Sequence, residues 1–339
     1  MVSFGGLWSP ALDNCGIRNT SMAAVLEAAT IVKPGLSFLK YLAKATANKE
    51  AKSILAFSTP QHAQQLQSLR GSLNGLQTIF ACTDTVGLGV QRNGFSYAIF
   101  DGEISLKDTV RRRSSAELGV LSIGVSPSID TSLPLANTIF HAATSCVLAI
   151  NGEQYTGAHI QLPVELKKSQ VFRPLLPLTD VLTVTSCQGN MLKSINEVSA
   201  ASFLESAPSL VQPTSHSRTV FAELNGNEMF EVTAGGGGLW SARAQMLVLD
   251  TDAMPKQGDL IRFWLNEKPI PSALMGTLQT AYSSVKPGLV LECAPVQEHL
   301  DEPPLIETSK LPVFGAGSEL GFFVNGIKHS VPAEIVAYH

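Results

Sequence analysis

The amino-acid sequence predicts an α/β chain, mixed α+β in detail, with two related lobes in which mixed β-sheets are covered by helices. Short apolar runs such as "SILAF" (53–57) and "LQTIFACTD" (76–84) have the form of strands buried on both faces. Between them, "QHAQQLQSLRGSL" places Leu66, Leu69 and Leu73 on one helical face. "FSYAIFDGEISL" (95–106) alternates across Asp101-Gly102 and reads as an antiparallel hairpin, which makes the sheet mixed. The order helix, strand, small polar corner, strand, glycine-rich loop then recurs near the end of the chain.

Taken in order, Met22, Val25, Leu26 and Ala29 have helical spacing, with Ser21 or Thr20 as the cap. The two apolar strands follow, and the second runs into "TDTVGLG" (83–89), the kind of loop at a strand's carboxyl end where α/β sheets hold ligands. "LGVLSIGV" (118–125) is a further strand, and the proline-bearing stretch after Glu165 marks a boundary. This divides the chain into an extension (1–21), a first lobe (22–165) and a second lobe (166–339). The second lobe opens with strands at 181–186 and 191–195 about the turn Gln188-Gly189-Asn190, and a helix starts near Val198. "VFAELNGNEMFEV" is a hairpin turning at Asn225-Gly226, and "QMLVLD" and "LIRFWL" are strands.

At 339 residues and 45% hydrophobic content the chain buries a sizeable core, which excludes disorder. Charged residues are 15% and the net charge is −4, so no basic footprint for nucleic acid exists. Five scattered cysteines, an odd count without a C-x-x-C pair, read as thiols in a reducing compartment. No apolar run approaches the roughly 20 residues of a membrane span, and the start lacks a secretory pattern. These features lead us to expect a soluble intracellular protein, cytoplasmic or in the mitochondrial matrix.

The glycine run Gly235 to Gly238 lacks the following lysine of a phosphate loop, and it precedes a strand where a dinucleotide fingerprint would follow one. It reads as a hinge, and Arg243 just beyond it is a candidate for facing a carboxylate ligand. No nucleophile elbow or zinc motif occurs, so no metal or cofactor is expected, although His62 and His299 occupy matching places in the two repeats. Cys82 reads as a small buried hydrophobe and "VRRRSS" (110–115) as a solvated basic loop.

Four stretches in order resemble the FIST family, with its FIST-N and FIST-C domains. They are "SILAFSTPQHAQQLQSLRGSL", "LQTIFACTDTVGLG", "LTVTSCQGNMLKSINEVSAASFL" and "LGFFVNGIKH". The last is similar to the family's closing glycine-aromatic-NGE motif, but Ile327 stands where that motif has Glu, and "ACTD" replaces its G-C-S corner. The resemblance implies a sensory module for small ligands such as amino acids, without established chemistry. We therefore expect a non-catalytic protein that binds an amino acid, an organic acid or a protein partner in a cleft between the lobes. Thr83, Asp84, Thr85 and Gly87 from one loop and Ser318, Asn325 and Gly326 from its counterpart would line that cleft, their backbone N–H groups holding a carboxylate. An accessory subunit of a larger assembly, possible in mitochondria, is the second expectation, and an enzyme using Cys82 or Asp84 the third.

Overall fold

The computed structural model describes residues 23–32, 42, 46–47, 50–63, 73, 75–87, 93–111, 119–126, 128–136, 148–205, 217–235, 245–268, 288–294 and 309–339. Strands run β1 (Val25–Val32), β2 (Ser53–Ser58), β3 (Gln77–Cys82), β4 (Gly94–Phe100), β5 (Ser105–Arg111), β6 (Val120–Ser126), β7 (Ile129–Pro134), β8 (Leu148–Ile150) and β9 (Glu153–Gln161). The chain continues through β10 (Lys168–Phe172), β11 (Leu176–Pro177), β12 (Leu182–Gln188), β13 (Met191–Ile195), β14 (Val198–Ser199), helix α1 (Ala200–Glu205), β15 (Ser217–Leu224), β16 (Glu228–Gly235), β17 (Leu247–Leu249) and β18 (Leu260–Lys268). It closes with β19 (Leu289–Cys293), β20 (Ser309–Leu311), β21 (Phe314–Ser318), β22 (Phe322–Val324), β23 (Ile327–His329) and β24 (Ile335–Tyr338).

The expected α/β class is overturned: the described residues are 60% strand and 6% helical, with one helix and a closed six-strand barrel. The first apolar stretch shows why. Residues 25–32, whose spacing suits a helix, form β1, because strands β4 and β20 flank it and its last four residues are buried. Tertiary pairing overrides a weak periodicity over so short a window. The amphipathic segment 61–73 lies outside the described residues apart from a 3₁₀ turn at Pro60–His62, Ala63 and Leu73. The "FSYAIFDGEISL" hairpin does not form either: β4 is paired on both edges by β1 and β2, and β5 crosses to β9.

Two sheets make the larger module. The first has the order β20-β1-β4-β2-β3-β8-β9-β6-β7-β22-β23, with β5 also on β9, and the second is β10-β24-β19-β21. They share one core in which Phe57 of the first sheet stacks on Phe314 of the second at 4.8 Å. The two stretches read as a repeat are equivalent here: β2 pairs parallel with β3 and antiparallel with β4, and β19 pairs parallel with β21 and antiparallel with β24. Strands beyond residue 165 return to the first lobe, β20 to β1 and β22 to β7.

Buried hydroxyls tie the sheets together. Thr30 Oγ1 donates to the Val313 carbonyl at 2.8 Å and accepts from Gly315 N at 3.1 Å, and Ser96 Oγ donates to the Gly315 carbonyl. Thr30→Val keeps the shape and orphans both backbone groups, so denaturant unfolding should show a loss of about 1–2 kcal/mol.

The six barrel strands close in the order β18-β12-β13-β17-β16-β15 and back to β18, every pair antiparallel. Alternation sends Val184, Leu192, Val220, Ala222, Phe263 and Leu265 inward, and α1 adds Ala200, Ala201 and Leu204 to the same cluster. So narrow a barrel is filled by side chains, and closure removes its free edges. The hairpin turn Asn225-Gly226 has φ of 50° and 73°, the left-handed pair that a two-residue primed turn requires. At the start of the glycine run, Gly235 has φ of 103°, and a Cβ there would strike the Met246 carbonyl.

Candidate functional site

Part of the set of loop residues named from sequence does meet: the 83–85 corner touches the Ser318 segment at the carboxyl ends of the parallel pairs. Thr85 and Gly317 form an antiparallel bridge, with Gly317 N donating to the Thr85 carbonyl at 2.9 Å and Thr85 N to the Gly317 carbonyl at 3.3 Å. Asp84 Oδ2 accepts from Glu319 N at 2.8 Å, Thr83 Oγ1 donates to the Thr85 carbonyl at 2.8 Å, and Ser318 Oγ accepts from Leu320 N at 3.2 Å. Thr83, Thr85, Gly87 and Ser318 are buried. Glycine at 315 and 317 lets β21 press against the 83–87 loop, since a Cβ at 315 would meet the Val86 carbonyl and one at 317 the Thr85 hydroxyl.

Several backbone N–H groups of this corner, those of Thr83 and Thr85 among them, are thus engaged within the protein. Thr83 N donates to the Ser58 carbonyl and Gly321 N to that of Ser318, as do Thr85, Gly317, Glu319 and Leu320 to the acceptors just given. The corner is a fastening. Asp84→Ala should therefore lower stability by about 1 kcal/mol, the worth of its bond to Glu319 N, as read by thermal or denaturant unfolding.

Asn325 and Gly326 lie elsewhere, in the exposed β22–β23 turn with φ of 49° and 82°. The Asn325 side chain accepts from Asp130 N at 2.8 Å and donates to the Ser128 carbonyl at 3.1 Å. Arg243 and His299 lie outside the described residues. His62 Nε2 meets Asn93 Oδ1 at 2.6 Å, and Cys82 is buried. Among the described residues no group of three or more His, Cys, Asp or Glu is placed to hold a metal ion.

A polar chain that the sequence does not reveal runs where the barrel meets the two-sheet module. Glu334, fully buried just before β24, accepts through Oε1 from Arg173 Nε at 2.6 Å and from His329 Nδ1 at 2.8 Å, and through Oε2 from Val331 N at 3.3 Å. A carboxylate paired with arginine only accepts, so His329 Nδ1 carries the proton. The imidazole stacks on Phe322 with centroids 5.0 Å apart. Arg173 stands between β10 and β11, where the chain passes into the barrel. Its Nη1 reaches Glu223 of β15 at 4.0 Å, and Glu223 Oε2 accepts from Trp264 Nε1 of β18 at 2.9 Å. The Arg262 guanidinium lies 4.3 Å from the centroid of Trp264, a cation–π contact.

Two further ties flank this chain. Leu175, Phe221, Met229 and Val331 form an apolar cluster with Trp264 against it. Lys328 of β23 reaches Asp252 at 3.2 Å and Asp250 at 3.5 Å, both beyond barrel strand β17. Burial pulls the Lys328 ammonium down, but hydrogen bonds and charge from Asp252 and Asp250 outweigh it and hold the lysine above its ordinary range. A raised lysine stabilises the fold below the unfolded value and loses that contribution as pH rises through the folded one.

The fold and this junction define a predominantly β protein in which a closed barrel is pinned to a two-sheet body by buried charge. No family model matches the chain, and neither a curated protein nor a solved structure matches it at a significant level. No helix among the described residues is long and apolar enough to cross a membrane.

Proposed function

We propose that the chain is a non-catalytic recognition module that takes a small acid, an amino acid or an organic acid, at the junction of barrel and two-sheet body. The observation that carries this reading is the state of Arg173. Of its five N–H donors, Nε is committed to Glu334, and among the described residues the rest have no partner nearer than Glu223 at 4.0 Å. The side chain is 22% exposed, so solvent reaches a guanidinium already oriented from behind. A preoriented, partly exposed arginine is a natural carboxylate anchor. The engaged amides of the glycine corner move the reading away from Thr83–Gly87 and Ser318, leaving them a supporting role. A thermal-shift screen of amino acids and organic acids should give stabilising hits that disappear in Arg173→Lys; a screen without hits removes the proposal.

A second reading, an accessory subunit, is favoured by the outer face of the barrel. Val181, just before β12, and Leu260 of β18 are 58% and 50% exposed there, beside the strand pairs Leu182–Ile261 and Thr183–Leu260. Size-exclusion of native extract separates the two readings, since a chain eluting only near its 36.1 kDa mass is not part of a permanent assembly.

A further inference from the structure

We infer that a carboxylate ligand binds Arg173 by displacing Glu223, and that this exchange loosens the barrel from the two-sheet body. The inference rests on the recognition reading above and adds the competing group and the mechanical result. The two acids on Arg173 are held unequally. Glu334 is fully buried, meets Nε at 2.6 Å and is also bound by His329 Nδ1 and Val331 N, so it stays. Glu223 approaches Nη1 only to 4.0 Å, is 17% exposed, and keeps the Trp264 N–H at 2.9 Å when Arg173 is taken away. Parting from Arg173 while it stays on Trp264 Nε1 orphans no donor, so it is the displaceable arm.

Because Glu334 occupies Nε, the guanidinium still presents its outer Nη groups, the edge that fits a carboxylate with two parallel bonds. Such a ligand forms a closer charge-assisted contact than the 4.0 Å one it replaces. The mechanical result follows from where the groups sit. Glu334 belongs to the two-sheet body, Glu223 and Trp264 to the barrel, and Arg173 to the strand connection between them. Losing the Glu223 arm removes one polar tie and leaves the Lys328 pairs and the apolar cluster, so the barrel gains freedom without detaching.

The test is isothermal titration of the full chain with succinate, and in parallel with inorganic phosphate, for the wild type and Glu223→Gln. Glutamine keeps an acceptor for Trp264 and removes the competing charge, so succinate should bind about tenfold more tightly, the scale of one hydrogen bond to a charged group. Hydrogen exchange of the wild type supplies a readout independent of the variant's folding. With succinate bound, amides of 173–178 and 328–334 should exchange faster while those of 220–224 are unchanged. Wild-type binding of succinate that is unchanged or weakened by Glu223→Gln, or protection that rises across the junction, overturns the inference and leaves the recognition reading standing. Binding of phosphate but not succinate overturns the carboxylate assignment. No binding of either probe by either protein ends the inference, and the amino-acid and organic-acid screen then decides the recognition reading.

Discussion

Glu334→Ala should be among the most damaging single substitutions in the chain, lowering unfolding free energy by about 3–5 kcal/mol. The carboxylate is fully buried and receives Arg173 Nε, His329 Nδ1 and Val331 N, so its removal strands a guanidinium and an imidazole at an interior junction. The loss exceeds the net worth of the ion pair, because most of it is the cost of a charge left without its counter-charge. Glu334→Gln should fall between, since an amide oxygen at the Oε1 position still accepts from Arg173 Nε and His329 Nδ1 while the charge and the acceptor for Val331 N are lost. Arg173→Met with Glu334→Leu should recover part of the loss, as paired apolar replacements of buried ions do. Denaturant unfolding followed at two probes, tryptophan fluorescence, to which Trp264 of the barrel contributes, and circular dichroism, measures these values. If Glu334→Ala unfolds with wild-type stability, the junction is not what holds the barrel.

Gly315→Ala is the second large effect, expected at about 1–3 kcal/mol. Its Cβ would enter the space of the Val86 carbonyl and press on Thr30 Oγ1, the hydroxyl that fastens Gly315 N. Backbone cannot swing aside as a flexible side chain does, so β21 must lift from the 83–87 loop and break the Thr85–Gly317 bridge. Gly226→Ala is the informative comparison. A Cβ there meets nothing, but φ of 73° disfavours it, so its cost is conformational and confined to the turn. Protection of the Thr85 and Gly317 amides from exchange should drop in Gly315→Ala and stay unchanged in Gly226→Ala.

What could be read from the sequence follows the range of the interactions. The Asn-Gly turn at 225, the strands at 53–58 and 77–82 and the short helix after Val198 depend on local chemistry, and they stand where expected. β1 does not, because its apolar residues fit either period and the deciding partners, β4 and β20, are far along the chain. The barrel escapes notice for the same reason: each of its hairpins is legible, but closure depends on β15 meeting β18. Of the candidate site, the meeting of the 83–87 loop with the Ser318 segment was within reach because the same order of small residues occurs twice. The junction was not. Arg173 and Glu334 stand 161 positions apart, and neither sits in a pattern that distinguishes it from a solvated charge. His329 and Glu334, only five apart, were the one short-range clue.

The insertion of the barrel between β10 and β19 has a consequence for biosynthesis. Thr30 waits for Val313, 283 positions later, and β1 has no β20 on its outer edge until Ser309–Leu311 have left the ribosome. The barrel, by contrast, takes all six of its strands from a single continuous stretch and can close while translation is under way. The nascent protein therefore passes through a stage in which a finished β-barrel is tethered to a half-built sheet with an open edge. Contacts of such long sequence separation form slowly, and that edge is where a chaperone would be needed.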